Sequence, residues 1–216
     1  MQAITLEAVA RSLSAHIPLY AWRRPVYQYV MLSNLRCQWD AAHTSALDVG
    51  GGAGAMGQTV KVLFGLKRVA SIDVKNRFLP GLDIETSVYD GVSLPFPDNA
   101  VDCVLLFNVL HHVPVTHRAP LLRECRRVAG DGPIYIKDHL SRGRLDDVRL
   151  AALDLFGNTL FGGMVTAHYL RSSDWLDLAQ QTGHRSSALI SGDYRHGPFE
   201  TIFPNRLEIS MVWRPQ

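Results

Sequence analysis

Cysteine is scarce in this sequence, and its arrangement excludes several classes of protein. Cys37, Cys103 and Cys125 form no Cys-x-x-Cys motif, and no group of histidines and cysteines has zinc-binding spacing. A small odd number of cysteines without a regular framework is typical of a reducing compartment. Cys103 lies in an apolar run, which predicts a buried thiol. The sequence therefore predicts no disulfide scaffold and no bound metal, and it favours the cytoplasm.

Long apolar runs and an excess of one charge are missing as well. No 18-residue apolar stretch occurs, and the first 20 residues lack a basic segment followed by an apolar block. Neither a transmembrane helix nor a signal peptide is therefore predicted. The formal net charge is only +2, and Arg123, Arg126 and Arg127 recur at the spacing of a solvated helix face. A nucleic-acid partner is not predicted.

Glycine, in contrast, is concentrated in one segment, "ALDVGGGAGAMG" at residues 46–57. Gly52, Gly54 and Gly57 fit the G-x-G-x-x-G pattern of dinucleotide-binding loops. Asp48 begins a second pattern, D-x-G-x-G-x-G, which runs through Gly50, Gly52 and Gly54 and is compatible with S-adenosylmethionine. In both cases glycine lets the backbone turn tightly and approach a ligand closely. The loop alone does not choose between the two cofactors.

Short apolar segments alternate with helical patterns through most of the 216 residues. This order predicts an α/β fold, a Rossmann-like seven-stranded mostly parallel sheet with helices on both faces and an N-terminal helical addition. The predicted strands are 45–49, 68–74, 86–89, 101–107, 133–136, 186–190 and 206–213. The predicted helices are 5–15, 26–35, 55–64, 119–128, 144–156 and 174–182, the last capped by Ser172 and Ser173.

The length fits a single domain over residues 1–216. Within it we expect an N-terminal helical cap at 1–40, a cofactor-binding core at 45–139 and a C-terminal part with acceptor-site elements at 140–216. "GNTLFGG", after the fifth predicted helix, is expected to be a flexible turn.

Two acidic residues at predicted strand ends accompany the glycine loop. Asp73 follows Gly54 by 19 residues, where a carboxylate can accept hydrogen bonds from both hydroxyls of a ribose. Asp90 ends the third predicted strand, where it can accept from an adenine amino group while Gly91 lets the backbone come near the base. The segment Leu94-Pro95-Phe96 then supplies apolar walls.

Four segments together resemble the class I S-adenosylmethionine-dependent methyltransferases of the small-molecule, type 11-like branch. They are "LDVGGGAG", "IDV", "YDGVSLPFPDNAVDCVLLFNVLHHV" and "LLRECRRVAGDGPIYIKDH", in this order over about residues 45–139. The resemblance implies S-adenosyl-L-methionine as the cofactor and S-adenosyl-L-homocysteine as the product. It also implies a small-molecule acceptor of the methyl group, with oxygen favoured over carbon or nitrogen.

The resemblance also implies a role for individual residues at the cofactor. Loop residues would surround the methionine moiety, Asp73 would hold the ribose, and Val74, Asp90 and Gly91 would lie at the adenine. Backbone groups of Asn108 and Val109 would face the amino-acid end. The full set is Asp48, Gly50, Gly51, Gly52, Gly54, Asp73, Val74, Asp90, Gly91, Asn108 and Val109. The helix usual between the second and third strands is expected to be short or absent, because "KNRFLPGLDIE" contains proline and glycine.

Four residues are predicted to act on the acceptor. An acceptor that loses a proton is helped by a general base, and open α/β sheets bind ligands at the carboxyl ends of their strands. His111 and His112 follow the fourth predicted strand, and Asp138 and His139 follow the fifth. A purely structural role stays open for each. Lys137 is expected to pair with a carboxylate instead.

Other functions remain as alternatives. Tyr20, Trp22 and Tyr27 are expected either to wall the acceptor or to pack a helix onto the core. A nicotinamide-dependent oxidoreductase is the second hypothesis, although no Tyr-x-x-x-Lys motif is present. A non-catalytic cofactor-binding subunit is the third, although none of the cofactor motifs is degraded. A base-modifying enzyme is disfavoured because no Asn-Pro-Pro-Tyr-type motif follows the fourth strand.

Overall fold

Seven strands form one sheet in the computed structural model, which describes residues 4–159, 167–189 and 193–216. The strand order is β3-β2-β1-β4-β5-β7-β6; β7 pairs antiparallel with both β5 and β6, and the other adjacent pairs are parallel. The strands are β1 Ser45–Val49, β2 Arg68–Asp73, β3 Glu85–Val88, β4 Cys103–Phe107, β5 Ile134–His139, β6 His184–Leu189 and β7 Glu208–Pro215. The predicted seven-stranded, mostly parallel sheet is confirmed.

Helices cover both faces of this sheet. In the described ranges they are α1 Leu6–Ser14, α2 Val26–Gln38, α3 Ala55–Phe64, α4 Val115–Ala129, α5 Arg144–Thr159, α6 Ser172–Gln181 and α7 Pro198–Ile202. Successive residues of a strand point to opposite faces, and β4 follows this rule. Val104 and Leu106 join a core with α4 and α6, whereas Cys103 and Leu105 join a second core with α1, α2 and α3. The thiol of Cys103 is buried, as predicted.

The strand β5 is longer than the sequence predicted. Lys137, Asp138 and His139 are its last three residues, not a segment that follows it. The reason is the antiparallel partner β7, whose pairing with β5 continues through His139 opposite Glu208. All three side chains are consequently buried within the sheet layer.

Two helices begin elsewhere than predicted. The helix α4 starts at Val115 instead of residue 119 and contains Pro120, which cannot donate a hydrogen bond within the helix. The helix α6 starts at Ser172, so that Arg171 and not a serine is its N-cap residue. Asp174 in the first turn accepts a hydrogen bond from the amide of Arg171 at 2.8 Å and fixes that start.

Three further expectations concern segments between and after the strands. Residues 74–84, all of them described, contain no helix, which confirms the expectation for the connection between β2 and β3. Helix α5 extends to Thr159, into the segment predicted to be a flexible turn, and the rest of that turn lies outside the described residues. The last residue of the strand predicted at 186–190 also lies outside them. No helix among the described residues is long and apolar enough to cross a bilayer.

The substitution Trp213→Ala tests the contribution of the core beside β7. Trp213 is fully buried and meets Trp175 edge to face at 6.2 Å between ring centroids. Its removal leaves a large cavity, so we expect a loss of about 3–5 kcal/mol in unfolding free energy, measured by urea titration. Trp22→Ala is the matched control, because that indole is 76% exposed and should change stability by less than about 0.5 kcal/mol. Equal losses in the two variants would contradict the packing described.

Candidate active site

The glycine loop after β1 adopts the backbone conformation that its composition favours. Gly50, Gly52 and Gly54 have φ of +74°, +58° and +77°, in the left-handed region where other residues are strained. The amides of Gly50 and Gly51 both donate to the carbonyl of Ile72, at 2.8 and 3.0 Å. The loop is thereby tied to the end of β2, and Gly54 becomes the N-cap residue of α3.

A cavity of about 480 Å³ opens beside this loop at the carboxyl ends of β1, β2 and β4. A Cβ added to Gly52 would meet no atom within 4 Å, so the cavity reaches the loop backbone. The volume lies in the usual range of ligand sites. Nine of the predicted cofactor residues line it: Gly50, Gly51, Gly52, Asp73, Val74, Asp90, Gly91, Asn108 and Val109.

Asp73 connects the end of β2 to the glycine loop. Its Oδ2 accepts hydrogen bonds from the amide of Gly52 at 2.9 Å and from Arg77 Nη2 at 3.0 Å, and its Oδ1 accepts from the amide of Lys75 at 3.0 Å. A carboxylate offers about four lone-pair positions, so these contacts fix its orientation and still leave acceptor capacity. The position suits two vicinal hydroxyls of a ribose.

The residues predicted at the adenine lie together on the next part of the cavity wall. Asp90 Oδ1 accepts hydrogen bonds from the amides of Val92 and Ser93, at 2.8 and 2.6 Å. These bonds lower the pKa of Asp90, so the carboxylate is ionised and ready to accept. Gly91, at φ +89°, brings the backbone close to Val74, where an added Cβ would lie 3.2 Å from Val74 Cγ1. A flat base can therefore approach this wall.

Asp48 and Gly54, in contrast, do not line the cavity. Asp48 is buried beneath the loop and accepts a hydrogen bond from Ser71 Oγ at 2.8 Å. A Cβ added to Gly51 or Gly57 would lie 2.4 or 2.8 Å from Asp48 Oδ2. The carboxylate therefore supports the loop and the first turn of α3 from below, and Gly57 is needed for close packing.

Asn108 lies at the cavity in a strained conformation, with φ of +57°. Its amide donates to the carbonyl of Lys137 at 2.7 Å, so this N–H is not a free donor for a cofactor, unlike the expectation. Its Oδ1 accepts from Lys137 Nζ at 2.7 Å and from the Tyr27 hydroxyl at 3.2 Å. The residue is held from β5 and from α2 at once.

The predicted catalytic residues are close together, but only His112 lines the cavity. Asp138 is fully buried, and its Oδ2 accepts a hydrogen bond from the amide of Leu110 at 2.9 Å. Its Oδ1 lies 2.5 Å from His111 Nδ1 and accepts from the amide of His139 at 2.7 Å. Asp138, His111 and His139 thus lie behind the cavity wall, because β5 continues under it instead of ending at its edge.

Asp154 of α5 completes this buried cluster and was not anticipated from the sequence. Its Oδ2 lies 3.4 Å from His111 Nε2, its Oδ1 lies 3.5 Å from His139 Nε2, and the hydroxyl of Tyr169 donates to Oδ2 at 2.6 Å. Burial lowers the pKa of His111, but Asp138 and Asp154 outweigh it and raise that pKa to about 9. Burial likewise opposes ionisation of Asp138, whose pKa is nevertheless lowered to about 2, chiefly by His111.

A second buried group of charges lies on the other side of His139. Glu208 Oε2 accepts from Lys137 Nζ at 2.5 Å and lies 3.1 Å from His139 Nδ1, and Oε1 accepts from Arg195 Nη2. Burial lowers the pKa of Lys137, and the charge of Glu208 acts against this shift. The expected pairing of Lys137 with a carboxylate is confirmed. The partner comes from β7, about 70 residues away in sequence.

Several residues that line the cavity were not predicted from the sequence. Met56 at the start of α3 and Tyr89 beside Asp90 follow known motifs and could have been found by position, whereas Gln28 and His117 could not. Of the three predicted aromatic wall residues, Tyr20 lines the cavity, Tyr27 belongs to the buried group around Lys137, and Trp22 is exposed.

The geometry defines a class of protein. A glycine loop after the first strand, an acidic residue at the end of the second and another after the third enclose one cavity of a seven-stranded sheet. This combination is typical of the cofactor site of class I S-adenosylmethionine-dependent methyltransferases. Residues 47–136 match the family model described as "Methyltransferase domain". The chain is thus an S-adenosylmethionine-dependent methyltransferase, as the sequence predicted.

Solved structures share the fold at low sequence identity. A chain from the complex of the Haloferax volcanii Trm112 methyltransferase activator with a methyltransferase has a TM-score of 0.64 at 13% identity, over 99% of this chain and 100% of that one. A methyltransferase from Thermotoga maritima has a TM-score of 0.63 at 12% identity, over 98% and 100%. One from Archaeoglobus fulgidus has 0.61 at 13%, over 87% and 94%. No curated protein matches the sequence of this chain.

The substitution Asp73→Ala tests the ribose contact. Removing hydrogen bonds to a charged group costs about 1.5–3 kcal/mol, so the affinity for S-adenosylmethionine should fall about 10- to 150-fold in calorimetry. Asp83→Ala is the control, because that carboxylate is exposed, pairs with Lys61 and does not line the cavity. An unchanged affinity in the Asp73 variant would remove Asp73 from the cofactor site.

The substitution Asp48→Asn tests the burial of the carboxylate below the loop. Burial raises the pKa of Asp48 to about 6, although the hydrogen bond from Ser71 acts against the shift. Between about pH 4 and pH 6 the folded protein therefore binds more protons at this site than the unfolded chain, and stability falls as pH rises. This term amounts to about 3 kcal/mol and is absent from the variant.

Unfolding free energies at pH 4.5 and pH 7.5 measure the effect. The stability of the Asp48→Asn variant relative to the unsubstituted protein should be greater at pH 7.5 than at pH 4.5. For Asp83→Asn, in an exposed position, the stability relative to the unsubstituted protein should be the same at both pH values. If the relative stability of Asp48→Asn does not change with pH, Asp48 does not have a raised pKa.

Proposed function

We propose that this enzyme methylates a small molecule at a hydroxyl oxygen, in preference to carbon or nitrogen. The observation that carries the proposal is one continuous cavity of about 480 Å³, which extends from the glycine loop to a wall supplied by the N-terminal segment. Leu13 of α1 and Ile17 and Tyr20, next to or within the 3₁₀ turn Pro18–Ala21, form that wall. A cavity covered in this way suits a compact acceptor better than a polymer.

The cofactor end of the cavity is formed by the residues already described. Bound S-adenosylmethionine supplies a sulfonium methyl group that is already activated for displacement. Asp73 binds the ribose hydroxyls, Asp90 binds the adenine amino group, and the glycine loop allows close approach to the methionine moiety. The chain contributes mainly orientation and exclusion of water, which account for about 7–11 kcal/mol of the barrier in favourable cases.

The acceptor end combines apolar walls with a few polar groups. Gln28 donates to the hydroxyl of Tyr20 at 2.8 Å, and His112 and His117 contribute imidazoles to the same cavity. A hydroxyl acceptor must lose its proton as the new bond to carbon forms. His112, the predicted catalytic residue that reaches the cavity, promotes this loss, and its ring packs against that of His111 at 4.0 Å between centroids. An imidazole in this position suits a hydroxyl acceptor, and oxygen is favoured in the proposal for that reason.

The wider organisation is proposed on the same basis. The chain acts as one methyltransferase domain in the cytoplasm, with the helical cap at 1–40 and the part after residue 140 shaping the acceptor side. Its substrate is a small molecule and not a nucleic acid, since the N-terminal segment walls the cavity and the net charge is only +2.

The substitution His112→Ala tests the acceptor side. Loss of assisted proton removal should lower kcat about 10²- to 10⁴-fold for hydroxyl acceptors, while the affinity for S-adenosylmethionine stays within twofold. The measurement is transfer of a labelled methyl group to a panel of small phenols, alcohols, amines and carbon acids. His196→Ala, an exposed position away from the cavity, is the control with unchanged turnover. Methylation of amines alone, or full activity of the His112 variant, would contradict the proposal.

A further inference from the structure

Two histidines and one aspartate come together at the border of the cavity in a way that only the tertiary structure shows. His111 and His112 follow β4, and Asp154 lies on α5. One ligand atom of each residue can be chosen so that all three lie within 4.8 Å of one another. We propose that these side chains form a binding site for a divalent transition-metal ion, at the acceptor side of the active site. This proposal departs from the sequence-based expectation of no metal.

The separation between the buried ligand atoms fits an ion better than a hydrogen bond. His111 Nε2 lies 3.4 Å from Asp154 Oδ2, and among the described residues this nitrogen has no partner with hydrogen-bonding geometry. Zinc binds imidazole nitrogen and carboxylate oxygen at about 2.0–2.2 Å with tetrahedral angles, which separates two such ligands by about 3.3–3.6 Å. Asp154 is the charged neighbour of this nitrogen, and an ion bound between them would replace the imidazole proton and take both atoms as ligands.

The partners of the two buried ligands are those expected around a metal. His111 Nδ1 lies 2.5 Å from Asp138 Oδ1, an arrangement that directs the opposite nitrogen, Nε2, toward Asp154. Asp138 is itself fixed by the amide of Leu110, and Asp154 accepts a hydrogen bond from Tyr169. Histidine ligands commonly donate their second ring N–H to a carboxylate, and such partners orient the ligand. The cluster therefore has both ligands and supports.

The choice of ion follows from the ligand types. Two imidazoles and one carboxylate suit zinc, iron, cobalt or nickel, whereas magnesium and calcium take oxygen ligands. His112 lines the cavity, so the ion would have a coordination position open on that side. An ion there would withdraw electrons from an acceptor hydroxyl and ease the loss of its proton to water. This role of the ion in proton loss rests on the proposed function, and it explains how His112 takes part.

The test is metal binding by the full chain, with no acceptor present. Protein treated with a chelator and dialysed is titrated with ZnCl₂ by calorimetry and with CoCl₂ by visible absorption. We expect one ion per chain and a cobalt spectrum typical of four or five ligands. His112→Ala and Asp154→Asn should each lower zinc affinity at least tenfold, and Tyr169→Phe should lower it about 10- to 100-fold.

Matched controls separate metal binding at this cluster from metal binding elsewhere on the chain. His117→Ala removes another histidine of the same cavity that is outside the cluster, and it should keep zinc affinity within twofold. Circular dichroism shows that each variant is folded, and His112, being partly exposed, is the substitution least disruptive to the core. No binding of either ion, or equal binding by the His112 and His117 variants, would overturn the inference and leave an ion-pair cluster only.

Cofactor binding distinguishes this failure from failure of the proposed function. The chelated protein should still bind S-adenosylmethionine, because the cofactor residues lie outside the cluster. Hydroxyl methylation at full rate in the presence of chelator would contradict the metal site and leave the proposed function intact. Zinc binding without methylation of any hydroxyl would contradict the proposed function and leave the metal site intact.

Discussion

The buried carboxylate of Asp138 is the contact on which the segment after β4 depends for its position. It accepts hydrogen bonds from the amides of Leu110 and His139 and lies 2.5 Å from His111 Nδ1. The segment after β4 is thus held against β5, and the same segment carries the Asn108 and His112 that face the cavity. A charged group at this depth is tolerated because its partners supply compensating charge and hydrogen bonds.

The cofactor side depends on a different constraint, the space below the glycine loop. Asp48 fills that space, and side chains at Gly51 or Gly57 would overlap with its carboxylate. The amides of Gly50 and Gly51 then bind the carbonyl of Ile72, which brings the loop beside Asp73. The motif D-x-G-x-G-x-G therefore combines residues that line the cavity with Asp48, which supports them from outside it.

Sequence and structure agree where an element depends on local signals, and they differ where it depends on contacts between distant residues. The strands β1 and β4 and the helix α3 were predicted closely, because apolar runs and periodicity are local signals. The end of β5 was not, since its pairing with Glu208 on β7 spans about 70 residues. The same holds for the site. Asp73 and Asp90 were found from motifs, but neither Asp154 nor the burial of His139 had any local signal.

The sequence by itself determined the α/β order, the glycine loop, the acidic residues that follow β2 and β3, and hence the methyltransferase class. Only the tertiary structure decided which polar residues face the cavity. It buried Asp138 and His139 in a strand, left His112 at the cavity and brought Asp154 from α5 beside His111. The physical reason is that cofactor motifs are fixed by backbone conformation over a few residues. A side chain's neighbours across the sheet are instead set by packing between distant elements, which composition and spacing do not encode.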